Sequence, residues 1–251
     1  MHVMAVIPAR YGSTRLPGKP LMKLKGRTIV ERVYHRVAKC ELVDEIIVAT
    51  DDIRIFNHVN RFGGKAMITR IDHESGTYRC AEVLQKNPGA THVINVQGDE
   101  PLIHPKQIDD LIRFIASRRD IGIGTLVKKI DDVADLENPS KAKVVFGDQG
   151  KALYFSRSAI PFVRDVMPDQ WLQKADFYKH IGMYAYRSDV LRQLALLDSH
   201  SLERAEKLEQ LNWLANGFDI HVLETEMESI GVDTPEDARL VEHLLGLAEV
   251  S

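Results

Sequence analysis

Several features that would mark a protein class at once are missing from this chain. It has two cysteines, Cys40 and Cys80, in 251 residues, too few for the disulfide framework of a small secreted domain. No apolar run approaches the ~18 residues of a membrane span. No leader pattern is evident, because Met1 to Ile7 is short and passes directly into folded-looking sequence. The near-match to a glycosylation acceptor, Asn138-Pro139-Ser140, carries the excluded proline. These absences predict a cytoplasmic protein with no membrane insertion. A surplus of positive charge is missing too: 33 Lys and Arg against 36 Asp and Glu give a formal net charge of −3, which argues against a nucleic-acid binder.

One shortage is local. No acidic residue occurs before Glu31, while Arg10, Arg15, Lys19, Lys23, Lys25 and Arg27 all fall in that stretch. A basic concentration inside a mildly acidic chain implies a small, local anionic target. Other motifs are also absent. There is no G-x-x-x-x-G-K-[ST] phosphate loop, and Gly122-x-Gly124 lacks the third glycine of a dinucleotide fingerprint. His73-Glu74 is not followed by the second histidine of a zinc H-E-x-x-H site.

What is present is ordinary globular composition, 44% hydrophobic and 27% charged, ordered as strand and helix in alternation. Met4 to Ile7 reads as a strand ended by Pro8. Ile29, Val33 and Val37 form one face of a helix after Thr28. Glu45 to Thr50 (EIIVAT) is a continuous apolar strand, as buried parallel strands are, and Asp51-Asp52 opens a helix stopped by Gly63-Gly64. Lys65 to Thr69 and His92 to Val96 are further strands, and Pro105 to Ser117 is helical. This succession predicts an α/β fold with a mostly parallel, doubly wound sheet. The pattern then changes to a hairpin of Lys143–Phe146 and Ala152–Phe155, a strand His180–Arg187, helices near Asp189–Leu196 and Leu202–Ala215, and a strand Asp219–Leu223. A final helix starts at Pro235 with Thr234 as its N-cap. The expectation is one domain over 1–251. About 1–130 would be the nucleotide-binding half, and about 131–230 a mixed-sheet elaboration.

In open α/β sheets ligands sit beyond the carboxyl ends of the strands. The basic loop follows the first strand, so Arg10, Arg15 and Lys19, with Gly12 and Gly18 between them, suit a triphosphate. Asp99 and Glu100 follow the strand HVINV directly. Asp99 at that strand end is a natural Mg²⁺ ligand, and Glu100 reads equally as structural. Asp233, in GVDTPEDA, reads either as a second ligand or as a cap of the last helix. Mg²⁺ commonly takes one or two carboxylates together with substrate phosphates.

The segments PARYGSTRLPGKPL, HESGTYR, NVQGDEPLI, ALYFSRSAIPF, YKHIGMYAYR, KLEQL and GVDTPEDA, in this order and spacing, resemble the 3-deoxy-manno-octulosonate cytidylyltransferase (CMP-Kdo synthetase) family along nearly the whole chain. The resemblance implies a Rossmann-like nucleotidyltransferase fold, Mg²⁺ as cofactor, a homodimer, and transfer of CMP from CTP to the anomeric hydroxyl of Kdo for lipopolysaccharide biosynthesis. Carried onto this sequence, it places Arg10, Arg15 and Lys19 on the CTP phosphates, with Arg10 and Lys19 catalytic. Ser75, Gly76 and Arg79 would line the cytidine pocket, and Asp99 and Asp233 would hold the metal. Gln97, Arg157, His180, Tyr184, Glu209 and Gln210 would surround the sugar. Arg157 is the expected partner of the sugar carboxylate, with Arg164 as a second candidate. Tyr78 departs from the family pattern, which has an acid there. A related acidic sugar, 8-amino-Kdo or an acylneuraminate, is the alternative acceptor.

Overall fold

The computed structural model describes residues 1–12, 16–228 and 230–248. The chain forms two compact units, Met1–Ile112 with Glu228–Ser251, and Arg113–Met227.

The first unit is a parallel sheet flanked by helices. Its strands are β1 (Val3–Ala9), β4 (Glu45–Thr50), β5 (Ala66–Ile68) and β6 (His92–Asn95), and the small hairpin β2 (Lys23–Leu24) and β3 (Arg27–Thr28) stands apart. β1 pairs in parallel with β4 on one side and with β6 on the other, and β5 pairs with β4. Met4 to Ile7 and Ile47 to Ala49 are fully buried, as strands covered on both faces must be. Pro8 does not end β1. Pairing with β6 stops at Val6 opposite Asn95, while pairing with β4 continues to Ala9. From Pro8 onward the strand has a partner on one side only, where a missing donor is tolerated.

Helices α1 (Ile29–Val37), α2 (Ile53–Arg61), α3 (Gly76–Lys86) and α4 (Pro105–Ser117) follow the pattern of the sequence. α1 buries Ile29, Val30, Val33 and Val37, and the Thr28 hydroxyl accepts from Glu31 N at 3.3 Å. Asp52 caps α2 by accepting from Arg54 N at 2.8 Å. The C-terminal helix, Pro235–Ala248, opens with a reciprocal cap: Thr234 Oγ1 accepts from Asp237 N, and the Asp237 carboxylate accepts from Asp233 N and Thr234 N.

The second unit holds a mixed sheet of β7 (Ile123–Lys129), β8 (Lys143–Phe146), β9 (Ala152–Ser156), β10 (Tyr178–Arg187) and β11 (Ile220–Glu224). β10 runs antiparallel to β7 and to β8, β8 antiparallel to β9, and β11 parallel to β7. A satellite core of Ile130, Leu136, Trp171 and Phe177 packs beside it. Its helices are α5 (Val133–Glu137), α6 (Ser188–Leu194), α7 (Ser201–Glu206) and α8 (Gln210–Ala215). The single helix expected over Leu202–Ala215 is therefore two. Lys207 adopts a left-handed conformation (φ 53°), and Arg157 takes the carbonyls that the break releases: Nε donates to Glu206 O at 2.6 Å and a terminal nitrogen to Lys207 O at 3.2 Å. No helix among the described residues is long and apolar enough to cross a membrane.

Candidate active site

At the carboxyl ends of β1 and β6, three side chains distant in sequence meet. The Lys19 ammonium donates to Asp99 Oδ2 at 2.6 Å and to Asp233 Oδ1 at 3.0 Å. Each is placed by backbone geometry. Gly18 has φ 72°, a left-handed conformation that suits glycine, and its N–H donates to Tyr11 O at 2.9 Å. The short 3₁₀ turn Lys19–Leu21 starts there. Asp99 is placed by Gly98, where an added Cβ would lie 2.3 Å from the Pro8 carbonyl oxygen, so only glycine lets the QGDEP turn approach β1 this closely. Asp233 is placed by Val232, whose N–H donates to Asp99 O at 2.9 Å. Capping of the last helix falls to Thr234 and Asp237, which leaves the Asp233 carboxylate directed at Lys19. Burial alone would lower the Lys19 ammonium, but the charge and hydrogen bonds of Asp99, followed by those of Asp233, hold it above its ordinary value.

A cavity of about 400 Å³ opens over this triad, and Arg10, Gly12, Gly76, Arg79, Gln97 and Gly98 are among its lining residues. The structure thus brings Arg10, Lys19, Gly76, Arg79, Gln97, Asp99 and Asp233 together. Arg15 lies outside the described residues. Arg79 is fully buried; its guanidinium donates to Asp51 at 2.6 Å and to the Thr69 hydroxyl at 2.7 Å. It therefore presents the cavity with a fixed wall whose charge Asp51 balances. Ser75 precedes α3 with its hydroxyl buried and unpartnered. Below it lies a residue the sequence reading missed: Asn95 is fully buried with neither carboxamide atom partnered, and its nitrogen lies 3.2 Å from the point a Cβ on residue 76 would occupy. The signal was the polar residue interrupting the apolar strand HVINV. Tyr78 turns to His73, with the two rings parallel at 6.5 Å, and His73 is paired with Glu82. A larger groove of about 830 Å³ lies between α2 and the β2–β3 hairpin; Lys23, Arg54, His58 and Arg61 are on its wall and no carboxylate is among its lining residues. Size alone would favour that groove, but the carboxylate pair and the basic loop belong to the smaller cavity.

In the second unit, His180 and Tyr184 of β10 share an aromatic cluster with Phe155, Tyr186 and Trp213. His180 Nε2 lies 2.9 Å from the Thr125 hydroxyl, which itself lies 2.7 Å from Met183 O. The hydroxyl has one proton and gives it to that carbonyl. It therefore accepts from His180, which fixes the Nε2–H tautomer and leaves Nδ1 as an acceptor. Burial pushes His180 down to about 3, so the ring is neutral near pH 7. The Tyr184 hydroxyl is buried without a partner, and burial, with the Glu209 charge, raises it well above its usual range. Gln210, expected around the sugar, is buried with its amide nitrogen unpartnered. Arg157 gives three of its five N–H groups to the carbonyls of Glu206, Lys207 and Pro139, so two remain for a ligand. Arg164 is almost fully exposed beside Asp165. Glu206, which the sequence reading also missed, accepts from Ser156 and from Arg157 N and so orders the strand end that carries Arg157.

Comparison with known proteins shows the family of the chain. A cytidylyltransferase family model matches residues 4–225. A 3-deoxy-manno-octulosonate cytidylyltransferase of Cytophaga hutchinsonii is 48% identical over 245 residues, covering 97% of each chain. One of Geobacter sulfurreducens is 48% identical over 248 residues, covering 96% of this chain and 98% of its own. A solved CMP:2-keto-3-deoxy-manno-octonic acid synthetase complexed with CTP superposes with a TM-score of 0.92 at 42% identity, covering 99% of this chain and 100% of that one.

Proposed function

The chain belongs to the 3-deoxy-manno-octulosonate cytidylyltransferase family, and from that premise we infer that it transfers CMP from CTP to the anomeric hydroxyl of Kdo and releases pyrophosphate. The observation that carries the reading at the level of residues is the convergence of Asp99 and Asp233 on one cation, the Lys19 ammonium, beneath a cavity that also holds Arg10.

The reaction forms a bond between the sugar oxygen and the α-phosphorus and breaks the α–β phosphoanhydride, with loss of the hydroxyl proton. Such transfers depend mainly on positioning and on neutralising oxygen charge. Arg10, Arg15 and Lys19 hold the triphosphate, and Arg10 and Lys19 stabilise the departing pyrophosphate. Ser75, Gly76 and Arg79 shape the cytidine pocket. Gln97, Arg157, His180, Tyr184, Glu209 and Gln210 bind the sugar. His180 offers a neutral acceptor to a hydroxyl, and the two unused N–H groups of Arg157 suit the sugar carboxylate.

Asp99 and Asp233 fit Mg²⁺: they are hard oxygen donors, already drawn to a single positive charge, and two carboxylates leave positions for phosphate oxygens. When bound, Mg²⁺ neutralises developing charge on the phosphate oxygens and lowers the pKa of the attacking hydroxyl. The enzyme works as a cytoplasmic homodimer in lipopolysaccharide synthesis; exposed Leu153, Phe162 and Met167 in the second unit supply apolar surface for association. The test is pyrophosphate release from CTP and Mg²⁺ with Kdo, 8-amino-Kdo or N-acetylneuraminate as acceptor. Turnover is expected with Kdo, and preference for another sugar would overturn the assignment.

A further inference from the structure

Lys19 occupies the position between the two carboxylates that a divalent cation would take. We propose that it is a built-in substitute for the metal, and that it makes metal entry conditional on nucleotide. The inference rests on the metal role of Asp99 and Asp233 proposed above.

The root of this lysine is fixed. Gly18 is tied to Tyr11 by its N–H, an added Cβ at Gly18 would lie 3.1 Å from the Tyr11 ring, and that ring is covered by the Arg54 guanidinium 3.3 Å from its centroid. The four-carbon stem is the part that can swing. Its side chain is 12% exposed, against 30% and 40% for Asp99 and Asp233, and its ammonium already holds one oxygen of each carboxylate. Mg²⁺ needs oxygens at about 2.0–2.1 Å, and an ammonium already in contact with both carboxylates blocks that approach.

Displacement of Lys19 has different consequences with and without nucleotide. Without it, the evicted ammonium enters a cavity lined by Arg10, and by Arg79 whose charge Asp51 already balances, where Asp99 and Asp233 are the only lining carboxylates among the described residues. It would exchange two close anions for a site whose remaining charge is the Arg10 cation. With a triphosphate in place, phosphate oxygens take over the ammonium, and the carboxylates are released to the metal. CTP and metal therefore bind with positive coupling, and the coupling is reciprocal. The same movement carries Lys19 onto the phosphates at the moment it is needed there.

The experiment titrates the protein with Mn²⁺ by electron paramagnetic resonance, with and without CTP and with no acceptor sugar. A protein-free titration corrects for Mn²⁺ held by CTP itself. Without CTP, Lys19→Met is expected to bind Mn²⁺ at least ~10-fold more tightly than the wild type, within the usual range of coupling between sites. CTP should raise Mn²⁺ affinity much more in the wild type than in the variant. Lys19→Gln guards against a fold defect in one variant, and Arg10→Met removes the same charge from the cavity without touching the carboxylates. A gain confined to the Lys19 variants supports the proposal. Equal gain in Arg10→Met would reduce it to bulk electrostatics and overturn it. So would unchanged or weaker Mn²⁺ binding in both Lys19 variants. Adding Asp99→Asn to Lys19→Met should abolish the gain. Wild-type turnover of CTP with Kdo, measured separately, distinguishes failure of this coupling from failure of the assigned reaction.

Discussion

Asp99 and Val232 are joined by a backbone hydrogen bond of 2.9 Å from Val232 N to Asp99 O. One bond therefore registers the end of β6 against the segment that carries Asp233. The two carboxylates are held as a pair by main chain before any ligand arrives, which is the preorganisation that charge-neutralising catalysis requires.

Removing either charge should therefore disable the reaction while leaving the fold. Asp99→Asn and Asp233→Asn are expected to lower pyrophosphate release by about 10²-fold or more, a loss typical of a group that stabilises developing charge, with the thermal midpoint nearly unchanged. Wild-type turnover in either variant would refute the assignment.

Gly98 offers a sterically sharper test. A Cβ there would stand 2.3 Å from the Pro8 carbonyl oxygen, and backbone cannot yield as a flexible side chain can. Gly98→Ala should destabilise by about 1–3 kcal/mol, the usual cost of overpacking, and should reduce activity further by displacing Asp99. Urea denaturation with no change in midpoint would show that the close approach is not required.

His180 predicts a pH effect. Its ordinary value of 6.5 falls to about 3 through burial, so between those values the unfolded chain binds a proton that the folded one refuses. Stability from this residue is present above about pH 6.5 and is lost as pH falls toward 3, by at most about 1.4 kcal/mol per pH unit. His180→Gln should flatten the stability–pH curve in that window relative to the wild type. Parallel curves would contradict the buried neutral ring.

Arg157 should not tolerate lysine. Its fork holds two carbonyls at the break between α7 and α8, those of Glu206 and Lys207, and also that of Pro139, and an ammonium cannot reproduce that geometry. Arg157→Lys is expected to cost about 1–2 kcal/mol, to speed amide exchange over residues 206–210, and to raise the KM for the sugar more than that for CTP. Unaltered exchange there would argue against the role in the turn.

Much of this was legible from sequence because several rules agreed locally. EIIVAT, the Thr28 and Asp52 caps and the start at Pro235 each carried their own signal. That Arg10, Lys19 and Asp99 would line one cavity was readable, because cavities in open α/β sheets lie beyond the strand ends. Other parts depend on partners far along the chain. The break at Lys207 is stabilised by Arg157, which local helix propensity cannot register. Pro8 remains in a strand because of where β6 ends. Asn95 interrupts an apolar strand and Gln210 lies on a polar helix, and only the packed structure shows them buried with amide nitrogens unpartnered. That Lys19 would lie between Asp99 and Asp233 needed coordinates.

The bond from Gly18 N to Tyr11 O closes the basic loop on itself. The chain leaves β1 after Ala9, and at Gly18 it is bound back to Tyr11 by main chain alone. A substitution in the residues between is therefore expected to leave the Lys19 ammonium on Asp99 and Asp233.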